Sequence, residues 1–448
     1  MQEPDSLTHP TAGGAAPPAL DPPAPAAAPR PRPPGLLRLV GGGVITGAAD
    51  DDPSAIGTYA SAGAKFGLGF LWIAPVLLPM MVVVVYVSAK LGQVYGKGLF
   101  AAMRDRYPRW VLYPMVLGAF LGNVIEAAAN LGGIGAALNL LVPLPVPLIV
   151  VVAAAVILAF QILGSYALLR RLFRWLALAL FAYVAAAIMA RPDPAEVLHR
   201  TIVPSLTLDS DALAMIVACI GTSLSAYIYT WQSNQEVEEE IGQGRHSLRE
   251  RKGATDAELQ RTRREVITGM LFSNLILYFI ILSTGATLHP AGETAIDSAA
   301  QAASALEPLA GSGAKVLFAL GVVGVGFLAV PVMTTGAAYD LVQGLGREGS
   351  LHARPSEAKL FYGTIAAVTA VAVGLNFLGF NPMRALVWSG VVQGFSVPPL
   401  LLLMMLMTND RRMMGERVNG RLVNVLGWAT VAVTFAATVC LAASWMLG

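Results

Sequence analysis

Eleven apolar stretches, each about as long as a bilayer's hydrocarbon core requires of a helix (~20 residues), follow one another along nearly the whole chain. They fall at roughly 36–64, 68–93, 111–141, 145–166, 171–190, 212–241, 265–289, 313–345, 358–379, 382–408 and 421–447. With 55% of residues hydrophobic and 13% charged, one or two soluble cores could not bury this surface, so lipid must be the solvent. The expected fold is an all-α polytopic membrane protein of about eleven spans, with no nucleic-acid surface: the net charge is +2 and the basic residues sit in short connections. Cys219 and Cys440 lie inside apolar runs, which does not support a disulfide framework.

The first 34 residues are rich in Pro and Ala and lack the apolar core of a signal peptide, so they read as a disordered cytoplasmic tail. With the N-terminus inside, 25 of the 30 Lys and Arg residues fall on cytoplasmic connections. An odd number of spans then puts the C-terminus outside, in a plasma (inner) membrane. The connection at 242–264 is charged with mixed sign and carries Thr255 and Glu258 at capping-box spacing. The segment 291–309 reads as an interfacial helix on the outer side.

Inside a bilayer a carboxylate is costly unless it meets a partner, water or an ion. Asp50, Asp51 and Asp52 form a run of three, preceded by a Gly-rich stretch and followed by Pro53, which removes a backbone donor. The first span should therefore break there. Unwound backbone at membrane depth is tolerated where it lines a cavity, and its carbonyls beside a half-helix C-terminus make an oxygen site for a cation. About 170 residues on, Gly221-Thr-Ser-Leu-Ser225-Ala-Tyr227 interrupts the sixth span with Gly and hydroxyl residues. Two breaks five spans apart predict a five-plus-five inverted repeat with a midplane site between its halves. The halves are expected at 35–190 and 191–408, with a loop and eleventh span at 409–448.

At these residues the sequence resembles the Nramp family of divalent metal transporters. Gly47-Ala-Ala-Asp-Asp-Asp-Pro-Ser-Ala-Ile-Gly-Thr-Tyr-Ala-Ser-Ala-Gly-Ala64, with Phe66-Gly67 and Leu71-Trp72, tracks the family's first-span pattern around Asp-Pro-Gly-Asn. Ser88-Ala-Lys-Leu-Gly92 with Gly96-Lys97, and Ala137-Leu-Asn-Leu-Leu141, match the ends of its second and third spans. The resemblance implies a LeuT-like fold and a divalent cation as substrate. It needs no cofactor and no obligate protein partner beyond the lipid bilayer.

Three departures bear on the cargo. Ser54 and Ala55 stand where the family has Gly and the ligand Asn, Ser225 replaces its thioether, and its third-span acids fall on Ala127 and Asn130. Glu126 is adjacent to them and is expected to face elsewhere. Tyr227 and Gln232 occupy the positions of the family's two sixth-span His residues, and Gln393 lies one turn from the position of its tenth-span Gln. The expected ligands are Asp52, Asp51, Ser54, Thr222 and Ser225, with Asp50, Gln393, Tyr227, Gln232 and Glu126 as secondary candidates. Hydroxyl, carboxylate and water suit Mg, Ca or Mn better than softer ions, and Mg keeps much of its water. The branch most similar is that of the Nramp-related magnesium transporters, which implies alternating access with Mg2+ preferred, Mn2+ possible and no proton coupling. The alternatives are a proton-coupled Mn2+/Fe2+ transporter and a metal sensor that does not transport. An amino-acid carrier is disfavoured by three acids at the break. An enzyme using Asp51 and Asp52 as an acid–base pair lacks a second matching motif. Glu236, Glu238, Glu239 and Glu240 read as a solvated inner mouth, with a second metal site that attracts a cation on exit as the alternative, and His289 as an interfacial residue.

Overall fold

The computed structural model describes residues 47, 49–163, 180–205, 209–347 and 349–447. The tail at 1–34, the start of the first span and residues 171–179 of the fifth lie outside these residues. Among the described residues, eight helices are long and apolar enough to cross a bilayer. The first span contributes α1 (Pro53–Phe66). The next three contribute α2 (Ile73–Tyr95), α3 (Arg109–Asn139) and the shorter α4 (Val146–Leu163), and the fifth contributes α5 (Phe181–Met189). The sixth span is split into α6 (Ser210–Ser223) and α7 (Ala226–Gly242). Then come α8 (Asp256–Thr287), α9 (Ala314–Gly344), α10 (Lys359–Leu375), α11 (Pro382–Asn409) and α12 (Arg421–Leu447).

Both expected breaks are present. Asp50 is helical, Asp51 bends, and Asp52 is extended with ψ 171°, after which Pro53 opens α1 from the one position where its missing N–H costs nothing. Leu224 and Ser225 interrupt the sixth span in the same manner, Ser225 with ψ 143°. α1 packs against α8 and α11, α6 against α11, α7 against α2, and α3 against α9, so the two broken spans lie at the centre of the bundle. Small residues permit this closeness. A Cβ on Gly221 would collide with the Gly390 carbonyl oxygen on α11. At its far end α1 stops at Gly67, with φ +58°, and the His289 ring holds the Ala64 carbonyl at 2.8 Å, a structural role for that histidine.

The helix start expected within the charged connection 242–264 is present: α8 begins at Asp256 behind a capping box in which Thr255 and Glu258 exchange both hydrogen bonds. One local expectation changes. The segment 291–309 holds two short helices, Ala299–Ser304 and Glu307–Ala310, rather than one.

Candidate metal site at the paired helix breaks

Asp52 caps α1 with its own side chain: Oδ1 accepts the Ala55 N–H at 2.6 Å and the Ser54 hydroxyl lies 2.8 Å away. Its other oxygen accepts from Asn130 Nδ2 at 3.0 Å and meets the Tyr227 hydroxyl at 3.5 Å. Ser54 is the junction. Its Oγ also lies 3.0 Å from Thr222 Oγ1 at the end of α6 and 3.2 Å from Glu126 Oε1 on α3, and its N–H donates to Asn130 Oδ1 at 2.8 Å. Ser225 Oγ reaches Glu126 Oε1 at 3.0 Å, and Gln393 Nε2 on α11 donates to Glu126 Oε2 at 2.6 Å. Asp52, Ser54, Glu126, Asn130, Thr222, Ser225 and Gln393 are all fully buried.

Of the expected residues, the structure thus brings Asp52, Ser54, Thr222, Ser225, Glu126 and Gln393 together, with Tyr227 at the edge, where its hydroxyl donates to the Ala49 carbonyl at 2.9 Å. The expectation that Glu126 faces away is overturned. Asn123, Glu126 and Asn130 lie at i, i+3 and i+7 on α3, so they share one helix face. Asn123 extends the cluster towards α9 by donating to Asp340 at 2.9 Å. Asn130, read from sequence as the loss of an acid, holds Asp52 directly. The helical spacing 123, 126, 130 is the signal that could have found both asparagines.

Asp50 and Asp51 do not join this cluster. Both carboxylates take the hydroxyl of Ser273 on α8, at 2.7 and 2.8 Å, and Asp50 Oδ1 and Asp51 Oδ2 have no hydrogen-bond partner among the described residues. The reason is the break itself: one residue is helical, the next bends and the third is extended, so three neighbouring side chains leave in different directions. Gln232 is also elsewhere, donating to Glu236 one turn along α7 at 2.8 Å.

The donor set around Asp52 is two carboxylates, three hydroxyls and two amides. One soft atom stands a step outside, Met333 Sδ on α9, which accepts from Asn130 Nδ2 at 3.1 Å. Among the described residues no group of three or more His, Cys, Asp or Glu is placed to hold a metal. The arrangement therefore suits an ion held by two carboxylates and completed by neutral oxygens or its own water. The carbonyls of Gly221 and Thr222, bonded by Ser225 Oγ at 2.7 and 3.1 Å, bring the negative end of α6 to the same point. As hydrogen-bonded here, the cluster must loosen before an ion can enter.

The profile of the Nramp family, described as natural resistance-associated macrophage protein-like, matches residues 43–444. The divalent metal cation transporter MntH of Klebsiella pneumoniae subsp. pneumoniae is 28% identical over 403 residues, covering 89% of this chain and 92% of that protein. The crystal structure of the Eremococcus coleocola manganese transporter aligns with TM-score 0.68 and 17% identity, covering 92% of this chain and 89% of the other. Mhp1, a nucleobase-cation-symport-1 family transporter in a closed conformation, aligns with TM-score 0.56 and 13% identity over 92% and 90%. At those identities the two structures speak for the fold, which is the five-plus-five, LeuT-like one.

Proposed function

This chain belongs to the Nramp family and is a divalent metal cation transporter, not an enzyme; we propose that its preferred cargo is Mg2+, with Mn2+ second, moved by alternating access without a coupled proton. The observation that carries this reading is the oxygen-rich cluster joining Asp52 and Glu126 through Ser54. Two carboxylates with hydroxyls are what a hard ion that retains water needs. The E. coleocola protein is a manganese transporter, which supports Mn2+ as the second cargo. The basic connections further favour an inner-membrane orientation with the N-terminus in the cytoplasm and the C-terminus outside.

Purified protein in liposomes carrying a pH dye tests the proposal. Mg2+ and Mn2+ influx without internal acidification is expected. Absence of divalent flux, or Mn2+ entry with stoichiometric acidification, overturns it. Proton-coupled Mn2+ transport is the second reading, favoured by Glu126: a third-span acid does reach the ion site, so that span keeps a carboxylate able to serve coupling. Protease access to a C-terminal tag on intact cells checks the orientation.

A further inference from the structure

At one end of the bundle, α7, α2 and the start of α8 line a second polar cavity, with ≈ 30 Å³ of room for water-sized groups, that has no part in the Asp52 cluster. Five glutamates line it against two arginines. Arg261 is held by Glu239 at 3.0 Å and Glu265 at 2.8 Å, and Arg245 by Glu258 at 2.6 Å. Glu236 and Glu240, four residues apart on one face of α7, are left less neutralised. Glu236 accepts from two uncharged amides, Gln93 Nε2 and Gln232 Nε2, each at 2.8 Å. Glu240 has Arg245 at a long 3.4 Å on one oxygen, while its Oε2 is buried without a hydrogen-bond partner in a residue 5% exposed. Gln93 Oε1 is likewise buried and unpartnered, because its Nε2 is committed to Glu236 and to Thr262 Oγ1 at 2.7 Å. Turning that amide over would set its oxygen against a carboxylate, so the orientation is fixed by charge.

Two orphaned acceptors beside an incompletely neutralised carboxylate lack a positive partner, and a buried acceptor left unmatched is costly. We propose that this cavity is a second divalent-cation site, formed by Glu236, Glu240 and Gln93 Oε1, with Thr262 Oγ1 at its edge. The donors are all oxygen, and two carboxylates with retained water suit Mg2+ or Mn2+. From Ser225 to Glu240 the path along α7 is about 20 Å at the helical rise, so the two sites are separate. The role as a station for the cation leaving Asp52 rests on the transport reading above; the binding itself does not.

Electron paramagnetic resonance of full-length protein titrated with Mn2+ counts bound ions. Two per chain are expected for the wild type, one for Asp52→Ala, and one for the double variant Glu236→Gln with Glu240→Gln. A double variant that still binds two, or a wild type that binds one ion lost in Asp52→Ala, overturns the proposal. If Asp52→Ala keeps two while the double variant loses one, the metal reading of the helix breaks fails and this site stands. Should the double variant bind none, Gln93→Ala decides. It keeps every charge and should weaken the second site about tenfold or more, the cost of disturbing even an outer partner of a metal; an unchanged titration overturns the site.

Discussion

Ser54 shows how much one hydroxyl can hold. It has one proton to donate and stands within reach of Asp52, Glu126 and Thr222, so its lone pairs and its proton must be redistributed whenever a cation arrives. Ser54→Ala removes a hydrogen bond to charged groups, worth about 1.5–3 kcal/mol. The expected outcome is Mn2+ affinity at this site lower by about tenfold or more, read by calorimetric titration. Glu126→Gln should cost more, because Gln393 and Ser225 then lose a charged acceptor; flux in liposomes near background is the expected result, and wild-type flux would remove Glu126 from the site. The three acids at the first break were legible in the sequence because carboxylates are out of place in lipid, and so was the hydroxyl run that meets one of them, Asp52, through Ser54. The direction of Glu126 was missed. α3 is apolar on most of its circumference and its one polar stripe, Asn123, Glu126 and Asn130, marks the face that meets the breaks; aligning the family's acids with Ala127 and Asn130 hid it.

At the scale of elements, two split spans meet because their neighbours carry no side chain at the contact. Gly221→Ala would drive a methyl into the Gly390 carbonyl, an overpacking expected to cost about 1–3 kcal/mol, seen as a lower unfolding temperature in detergent. Thr255→Ala should cost ~1 kcal/mol through its cap, read as faster hydrogen exchange in the first turn of α8 with transport unchanged. The spans were legible because hydropathy marks whatever lipid surrounds. The start of α8 was not marked that way: its first turns are charged and lie beyond the apolar window, and the capping box, not hydropathy, announces Asp256. The segment before α9 divides for a local reason, since Pro308 begins a new turn after Ser304 and Gly311, with φ +50°, ends it.

Across the whole molecule, α7 runs from the proposed ion site to the basic-rich end, where Glu238 fastens it. That carboxylate accepts from the Tyr339 hydroxyl at 2.7 Å, the Ser350 hydroxyl at 2.8 Å and the Leu351 N–H at 3.0 Å. Glu238→Ala should release this tie and raise hydrogen exchange in the last turns of α7 and at 349–358 more than elsewhere; uniform protection would count against a fastening role. The pairing of Asp52 with Glu126 also has an electrical consequence. With both carboxylates ionised, a divalent cation brings the loaded site to zero net charge, so the membrane voltage exerts little force on the step that carries cargo. The protein returning without cargo moves two negative charges instead, each worth about 2.3 kcal/mol per 100 mV across the full field. An inside-negative potential would then speed the return limb, and transport at saturating cation should quicken as the membrane is hyperpolarised.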